Sequence, residues 1–220
     1  MIEISASVLN VNKENATRTF YNLETSKIDY FHIDVMDGKF VKNNNSELMK
    51  DYALTISHIS NLGLDVHLMV EDIEEYVDEY LMLNPEYITF HIEATEYNEE
   101  RIMKIINQIK SEGTKVGISI SPETDIEKLK PFLNYIHMIL VMTVVPGEGG
   151  QKLIPETLEK VKSLKQYLEK NDIDIDIEVD GGIDDQTATK AIDSGANILV
   201  IGKFLISAEN IEEAVKKIKN

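Results

Sequence analysis

What most constrains this chain is a rhythm. Eight short apolar runs, IEISASVL, DYFHIDVM, LDVHLMV, YITFHIE, KVGISI, MILVMTV, IDIEVD and NILVIG, recur from one end to the other. Runs of this length read as strands. Between them the apolar spacing turns helical. Ile73, Tyr76, Val77, Tyr80 and Leu81 share one face, as do Ile102, Ile105, Ile106 and Ile109, then Leu158, Val161, Leu164 and Leu168, and finally Ile211, Ala214, Val215 and Ile218. Thr124 with Glu127 reads as a capping box opening a short helix, and the helix pattern is weakest over 46–60, where Ser, Thr and His break the stripe. Strands alternating with helices predict parallel pairing, with helices layered over the sheet. Eight such units in 220 residues predict an α/β fold, a closed (β/α)8 barrel spanning 1–220 as one domain. An open doubly wound sheet is the competing layout.

The polar residues favour the barrel. Ser7, His32, Asp34, His67, His91, Glu93, Ser119, Asp180 and Gly202 all stand at the C-terminal ends of the runs. In a barrel those ends converge on one mouth, where active sites are built. On a strand, residues two apart point the same way. His32 and Asp34 therefore face the axis while Phe31, Ile33 and Val35 face the helices. His67 repeats the pattern between Val66 and Leu68, and Asp180 ends its strand after Ile175, Ile177 and Val179.

Singly, each of these is read most simply as a hydrogen-bonded rim or core group. Together, two carboxylates and two imidazoles at one mouth call for a counter-charge, since buried like charges do not ionise side by side. A divalent cation held by His32, Asp34, His67 and Asp180 supplies it, and the nitrogen and oxygen donors suit Zn²⁺ or Fe²⁺. His91 and Glu93 read as support for those ligands.

Two further groups point to the same mouth. Met36, Met69 and Met142 fall at strand ends, where a soft apolar lining excludes water from a charged intermediate. Glycines follow strands six, seven and eight, at Gly147, Gly149 and Gly150, at Gly181 and Gly182, and at Gly202. Loops after the last strands of such barrels present backbone N–H groups to phosphate. A backbone cradle lets an acidic chain take an anionic substrate.

Composition narrows the partners. A net charge of −17 repels nucleic acid and anionic membranes, and the absence of Cys excludes disulfides and thiolate chemistry. No apolar run nears the roughly 18–20 residues of a membrane span, and the first residues lack a signal-peptide layout. A cytoplasmic location is expected.

HIDVMDGKFVKN, DVHLMV, TFHIEAT, KVGISISPET, LVMTVVPGEGGQK, IEVDGGI and ILVIG resemble, in order and spacing, the ribulose-phosphate 3-epimerase family, from Ser7 to Gly202. The resemblance implies one divalent metal on His32, Asp34, His67 and Asp180, with Zn²⁺ ahead of Fe²⁺, Mn²⁺ or Co²⁺. It implies Asp34 and Asp180 as the two acid/base residues, Ser7 and His67 against the substrate, the three methionines around it, and the glycines on its phosphate. The expected reaction is epimerisation at C3 of a ketose phosphate, D-ribulose 5-phosphate to D-xylulose 5-phosphate, as in the pentose phosphate pathway. A homo-oligomer is implied too. The metal would act as a Lewis acid on the charge that develops when the C3 proton leaves.

Departures from the family pattern gather in the loops. Glu148 stands where Phe is usual, Lys203 where a small hydroxyl residue is usual, Lys42 for Pro, and Ala6 for Pro. Lys203 is suited to add charge at the phosphate or to offset Glu148. Alternatives are the same chemistry on a six-carbon substrate such as allulose 6-phosphate, and a sugar-phosphate binder without turnover. An aldolase or decarboxylase on a related barrel is disfavoured, because Asp34-Val35-Met36-Asp37 lacks the Lys such sites use. Asp37 reads as a loop hydrogen-bonder beside Gly38.

Overall fold

Alternation makes the strands here. One set of side chains in each run turns toward the helices and the other toward the axis, and the β-branched and aromatic residues that fill them suit a pleat covered on both faces. The structure is a computed structural model that describes residues 2–219. Its strands are β1 (Glu3–Ser7), β2 (Tyr30–Met36), β3 (Gly63–Met69), β4 (Tyr87–His91), β5 (Lys115–Ile120), β6 (Met138–Met142), β7 (Asp176–Asp180) and β8 (Ile198–Ile201). All pair in parallel and in chain order, and β8 closes on β1. The (β/α)8 barrel forms, and the open sheet does not.

The helices are α1 (Ala16–Thr25), α2 (Ser46–Ile59), α3 (Ile73–Leu81), α4 (Glu99–Lys110), α5 (Glu156–Lys170), α6 (Ala188–Ser194), α7 (Lys203–Ile206) and α8 (Ile211–Lys219). The stripes predicted for α3, α4, α5 and α8 bury against the strands, with Tyr76, Leu158 and Ile211 only partly covered. The weakly patterned 46–60 is a regular helix, because Met49, Tyr52, Ala53 and Ile56 still fall on one buried face. No helix among the described residues is long and apolar enough to cross a membrane.

One local expectation is corrected. After β5 the chain winds as a 3₁₀ helix over Ile126–Tyr135, with Pro131 inside it, and its cap is Asp125 rather than Thr124. The Asp125 carboxylate accepts from Glu127 N–H at 2.9 Å. The Thr124 hydroxyl is engaged elsewhere, donating to Glu93.

Inside, the barrel fills in layers from alternate strands. The floor is Tyr30, Tyr87, Met138 and Ile198, with the tyrosine rings edge to face at 5.8 Å. In register with these, the odd strands contribute Ser5, Asp65, Gly117 and Glu178. Branched aliphatics usually fill such a layer. Here it holds two fully buried carboxyl groups.

Candidate active site

The strand period delivers the site. Along β2 the inward residues are His32, Asp34 and Met36. Pairing with β3 sets Asp34 beside His67 and Met36 beside Met69, and pairing of β6 with β7 sets Met142 beside Asp180. One donor atom from each of His32, Asp34, His67 and Asp180 can be chosen so that all four lie within 4.8 Å of one another. Asp34 is the hub. Its Oδ1 stands 3.3 Å from His32 Nε2 and 3.2 Å from His67 Nδ1, and its Oδ2 accepts from Ser7 Oγ at 2.7 Å. Asp180 Oδ2 lies 3.8 Å from His67 Nδ1.

Above this cluster opens a cavity of about 730 Å³. Ser7, Asp34 and Asp180 reach its wall, as do Met36, Met69 and Met142 and the glycines Gly147, Gly149, Gly150, Gly181, Gly182 and Gly202. Lys203 lines it too. His32 and His67 lie wholly buried beneath it.

Comparison with known proteins follows the same residues. Positions 3–206 match the profile of the ribulose-phosphate 3-epimerase family. The chain belongs to the ribulose-phosphate 3-epimerase family. The ribulose-phosphate 3-epimerase of Methanocaldococcus jannaschii is 36% identical over 219 residues, covering 100% of this chain and 90% of that protein. That of Bacillus subtilis is 33% identical over 220 residues, covering 100% and 99%. Among solved structures, 3-hexulose-6-phosphate synthase from Salmonella typhimurium superposes with a TM-score of 0.70 at 14% identity, over 99% of this chain and 96% of that one. That likeness is one of fold alone.

The donor set fits a divalent metal. His32 Nε2 is buried and makes no hydrogen bond among the described residues, an orphan aimed at Asp34. Mixed imidazole and carboxylate donors are what Zn²⁺ and its neighbours in the first transition row accept. The electrostatics of the ion-free chain express the same need. Burial opposes charge on Asp34, yet the two imidazoles outweigh it and hold its carboxyl far below the ordinary range. Burial, and then the charge on Asp34, push the Asp180 carboxyl up to about 7. Burial drops His67 to about 4. His32 goes the other way: burial works against its charged form, but Asp65 and Asp34 together raise it.

Four residues that hold this geometry escape a reading confined to strand ends. Asp65 accepts two short hydrogen bonds on Oδ2, from His32 Nδ1 at 2.6 Å and from Ser5 Oγ at 2.6 Å, which turns Nε2 of His32 toward Asp34. Glu178, 4.0 Å from His32 Nδ1, has neither oxygen hydrogen-bonded among the described residues; burial, then the Asp65 charge, push its carboxyl well above the usual range. Asn45 accepts from Met36 N–H at 2.8 Å and donates to the Asp34 carbonyl at 2.9 Å, extending the sheet where β2 runs out of partners. Thr143 donates its hydroxyl to the carbonyls of Asp180 and Gly181, at 2.8 and 2.6 Å. The two-residue rule finds Asp65 before His67 and Glu178 before Asp180. Asn45 and Thr143 leave no periodic trace.

The glycine loops are shaped by close approach. Gly181 and Gly182 follow Asp180 with φ of +120° and +68°, and a Cβ on Gly182 would lie 2.3 Å from Leu153 N. Gly147 sits over Val41, and its carbonyl accepts from Asn43 at 2.8 Å, tying the loop after β6 to the loop after β2. Asp37 holds loop backbone as expected, accepting from Lys39 and Phe40 N–H groups at 2.8 and 2.9 Å. Glu148 and Lys203 are both exposed, and among the described residues neither has an ion-pair partner within 4 Å, so they do not pair with each other.

Proposed function

We propose that this chain interconverts D-ribulose 5-phosphate and D-xylulose 5-phosphate by moving the C3 proton, with Asp34 and Asp180 as the two proton-transfer residues. Membership of a family whose named relatives are ribulose-phosphate 3-epimerases, isomerases that act on carbohydrates, supports the reaction class. The observation that carries the residue roles is that two carboxylates, from β2 and β7, open on one cavity while sharing the buried imidazole of His67.

Inversion beside a ketone removes a proton from one face of the carbon and returns one to the other, through a planar enediolate. That needs one carboxylate able to take a proton and one able to hold one. Asp34, kept ionised by His32 and His67, suits the first task, and Asp180, which keeps a proton to about 7 in the ion-free chain, suits the second. Paired carboxyl groups driven apart in this way are a common basis for acid/base division. The roles exchange with the epimer bound. Ser7, donating to Asp34 Oδ2, leaves Oδ1 facing the imidazoles.

His32, Asp34, His67 and Asp180 would hold one divalent ion, with Zn²⁺ ahead of Fe²⁺, Mn²⁺ and Co²⁺. When bound, such an ion supplies Lewis-acid stabilisation of the developing negative charge. Met36, Met69 and Met142 keep water from the reacting carbon, and the backbone at Gly147, Gly149, Gly150, Gly181, Gly182 and Gly202, with Lys203, receives the phosphate. The same reading extends to a single domain over 1–220, a homo-oligomeric assembly and a cytoplasmic location.

Turnover in D₂O tests it. Incubation with D-ribulose 5-phosphate is expected to leave deuterium at C3 of both epimers. Asp34→Asn and Asp180→Asn are each expected to slow epimerisation by about 10²–10⁴-fold, with the double variant little worse than either, as for groups acting as one unit. Ion-replete protein that exchanges no C3 proton of any ketose phosphate would instead be a binder. Higher kcat/KM on a six-carbon ketose phosphate would reassign the substrate.

A further inference from the structure

The loop after β5 is gripped from two sides. On one side its donors face a carboxylate: Glu93 Oε1 accepts from Ser121 N–H at 2.8 Å and from the Thr124 hydroxyl. On the other its carbonyls face a cation. Lys160, on the second turn of α5, donates from Nζ to the carbonyls of Ser121, Pro122 and Thr124 at 3.0, 2.7 and 2.6 Å. An ammonium has three N–H donors and no acceptor, so these three carbonyls use it completely. Among the described residues no carboxylate oxygen lies within 4 Å of it.

Lysine ordinarily lays its stem on the protein and keeps its head in water. Lys160 is half-buried; burial pulls its pKa down, and the charges of Glu93, Glu123 and Asp125 act against that pull. Backbone dipoles offset the lost hydration. A tight turn, with Thr124 N–H bonded to the Ser121 carbonyl at 3.0 Å, helps aim the three carbonyls at one point. Converging backbone carbonyls are the donor set a chain offers to a monovalent cation. Here the cation arrives on a side chain.

The loop so shaped leads back to the shared centre. Glu93 Oε2 meets His91 Nδ1 at 3.1 Å, and His91 Nε2 meets His67 Nε2 at 2.9 Å. We infer that Lys160 is a positioning residue that works as a tethered monovalent cation: its ammonium fills a carbonyl nest, and the filled nest sets Ser121 N–H and the Thr124 hydroxyl on Glu93. With the side chain cut back, the same nest takes a free ion of ammonium or potassium size. The nest and its cation stand independently of the proposed function. Only the effect on turnover rests on that reading.

Three variants separate charge, shape and space. Lys160→Met keeps the stem and removes the charge. Lys160→Arg keeps the charge, but a planar fork does not bring three donors to one point. Lys160→Ala removes stem and charge together and leaves room for an ion from solution.

Hydrogen exchange of the Ser121 amide, read by NMR on ion-free, substrate-free protein, reports the grip on Glu93. It is expected to quicken about 10–100-fold in all three variants, as for loss of hydrogen bonds to a charged group. Amides of β8 serve as the internal control and are expected to keep their wild-type rates. In Lys160→Ala, ammonium chloride and potassium chloride are expected to restore slow exchange saturably, choline chloride at equal ionic strength is not, and wild type responds to none. On the proposed reaction, kcat/KM of Lys160→Ala is expected to fall and to recover with ammonium in step with the amide. Wild-type Ser121 exchange in Lys160→Met and Lys160→Ala would overturn the inference. So would a loosened loop that choline restores as well as ammonium does, or that neither ammonium nor potassium restores. Equal quickening in β8 would reduce Lys160 to a general stabiliser and overturn it too. Wild type that epimerises nothing, with the amide and its ion response as expected, would sink the proposed function and leave the nest standing.

Discussion

Gly181 gives the sharpest test of how tightly the loop after β7 is built. Its φ is +120°, and a Cβ there would lie 2.4 and 2.7 Å from the two methyl carbons of Val144 and 2.9 Å from Val144 Cβ. Two costs follow for Gly181→Ala. Holding an L-residue in that region of backbone space costs roughly 1–3 kcal/mol. Forcing a methyl group into a packed wall costs roughly 1–3 kcal/mol more. A central value of about 4 kcal/mol, at ~2–4 °C per kcal/mol for a chain of this size, lowers Tm by about 8–16 °C. Thermal unfolding followed by circular dichroism, on ion-free protein at fixed pH, measures it without a contribution from binding. The two costs are separable, because Val144→Ala removes the two closest atoms and leaves the backbone term. In that background Gly181→Ala is expected to cost at least ~1 kcal/mol less, well beyond the 0.3–0.5 kcal/mol within which independent sites add. A Tm within about 2 °C of wild type would refute the whole account, and strict additivity would refute its steric half.

Asp65→Asn keeps an acceptor for His32 but removes its charge, and is expected to weaken Zn²⁺ binding about 10–100-fold by chelator competition; unchanged affinity would make Asp65 a packing residue. In the ion-free fold Asp180 keeps its proton up to about 7, whereas an unfolded aspartate releases it at roughly 4. Between those values the folded state binds more protons, so rising pH costs this group's share of stability. An ion needs the deprotonated carboxylate. The rise in Tm on adding a divalent ion should thus be larger at pH 8 than at pH 5, and equal shifts would contradict it. Lys203→Met is expected to raise, and Glu148→Gln to lower, the KM for substrate by about two- to fivefold each. Because the two side chains do not touch, a double-mutant cycle should give additive effects; coupling beyond ~0.5 kcal/mol would mean they meet in the complex.

Strand number, order and closure are legible in the sequence because each run obeys a period of two and each connection a period near 3.6. The same period brings His32, Asp34, His67 and Asp180 to one point, since residues at strand ends inherit their facing from the apolar neighbours between them. It serves equally for Asp65 and Glu178, which go unread only while attention stays at strand ends. Asn45 and Thr143 are different. They act from loops on backbone atoms, and their roles depend on where β2 and β6 lose their partners, which local pattern does not encode. The capping expectation at Thr124 fails for a related reason. Asp125 is an equally good cap one residue later, and Glu93, distant in sequence, takes the threonine hydroxyl.

The tyrosine floor has a kinetic consequence. Tyr87 donates to Asp176 at 3.0 Å, the Lys115 ammonium lies over the Tyr87 ring at 4.9 Å, and Met138 and Ile198 fill the rest, so the bottom of the barrel is plugged. Whatever enters must leave by the doorway it came through. On the proposed reaction, two sugars that differ at a single carbon share one vestibule, each excluding the other while it is inside. Each epimer is then expected to act as a competitive inhibitor of the other's conversion.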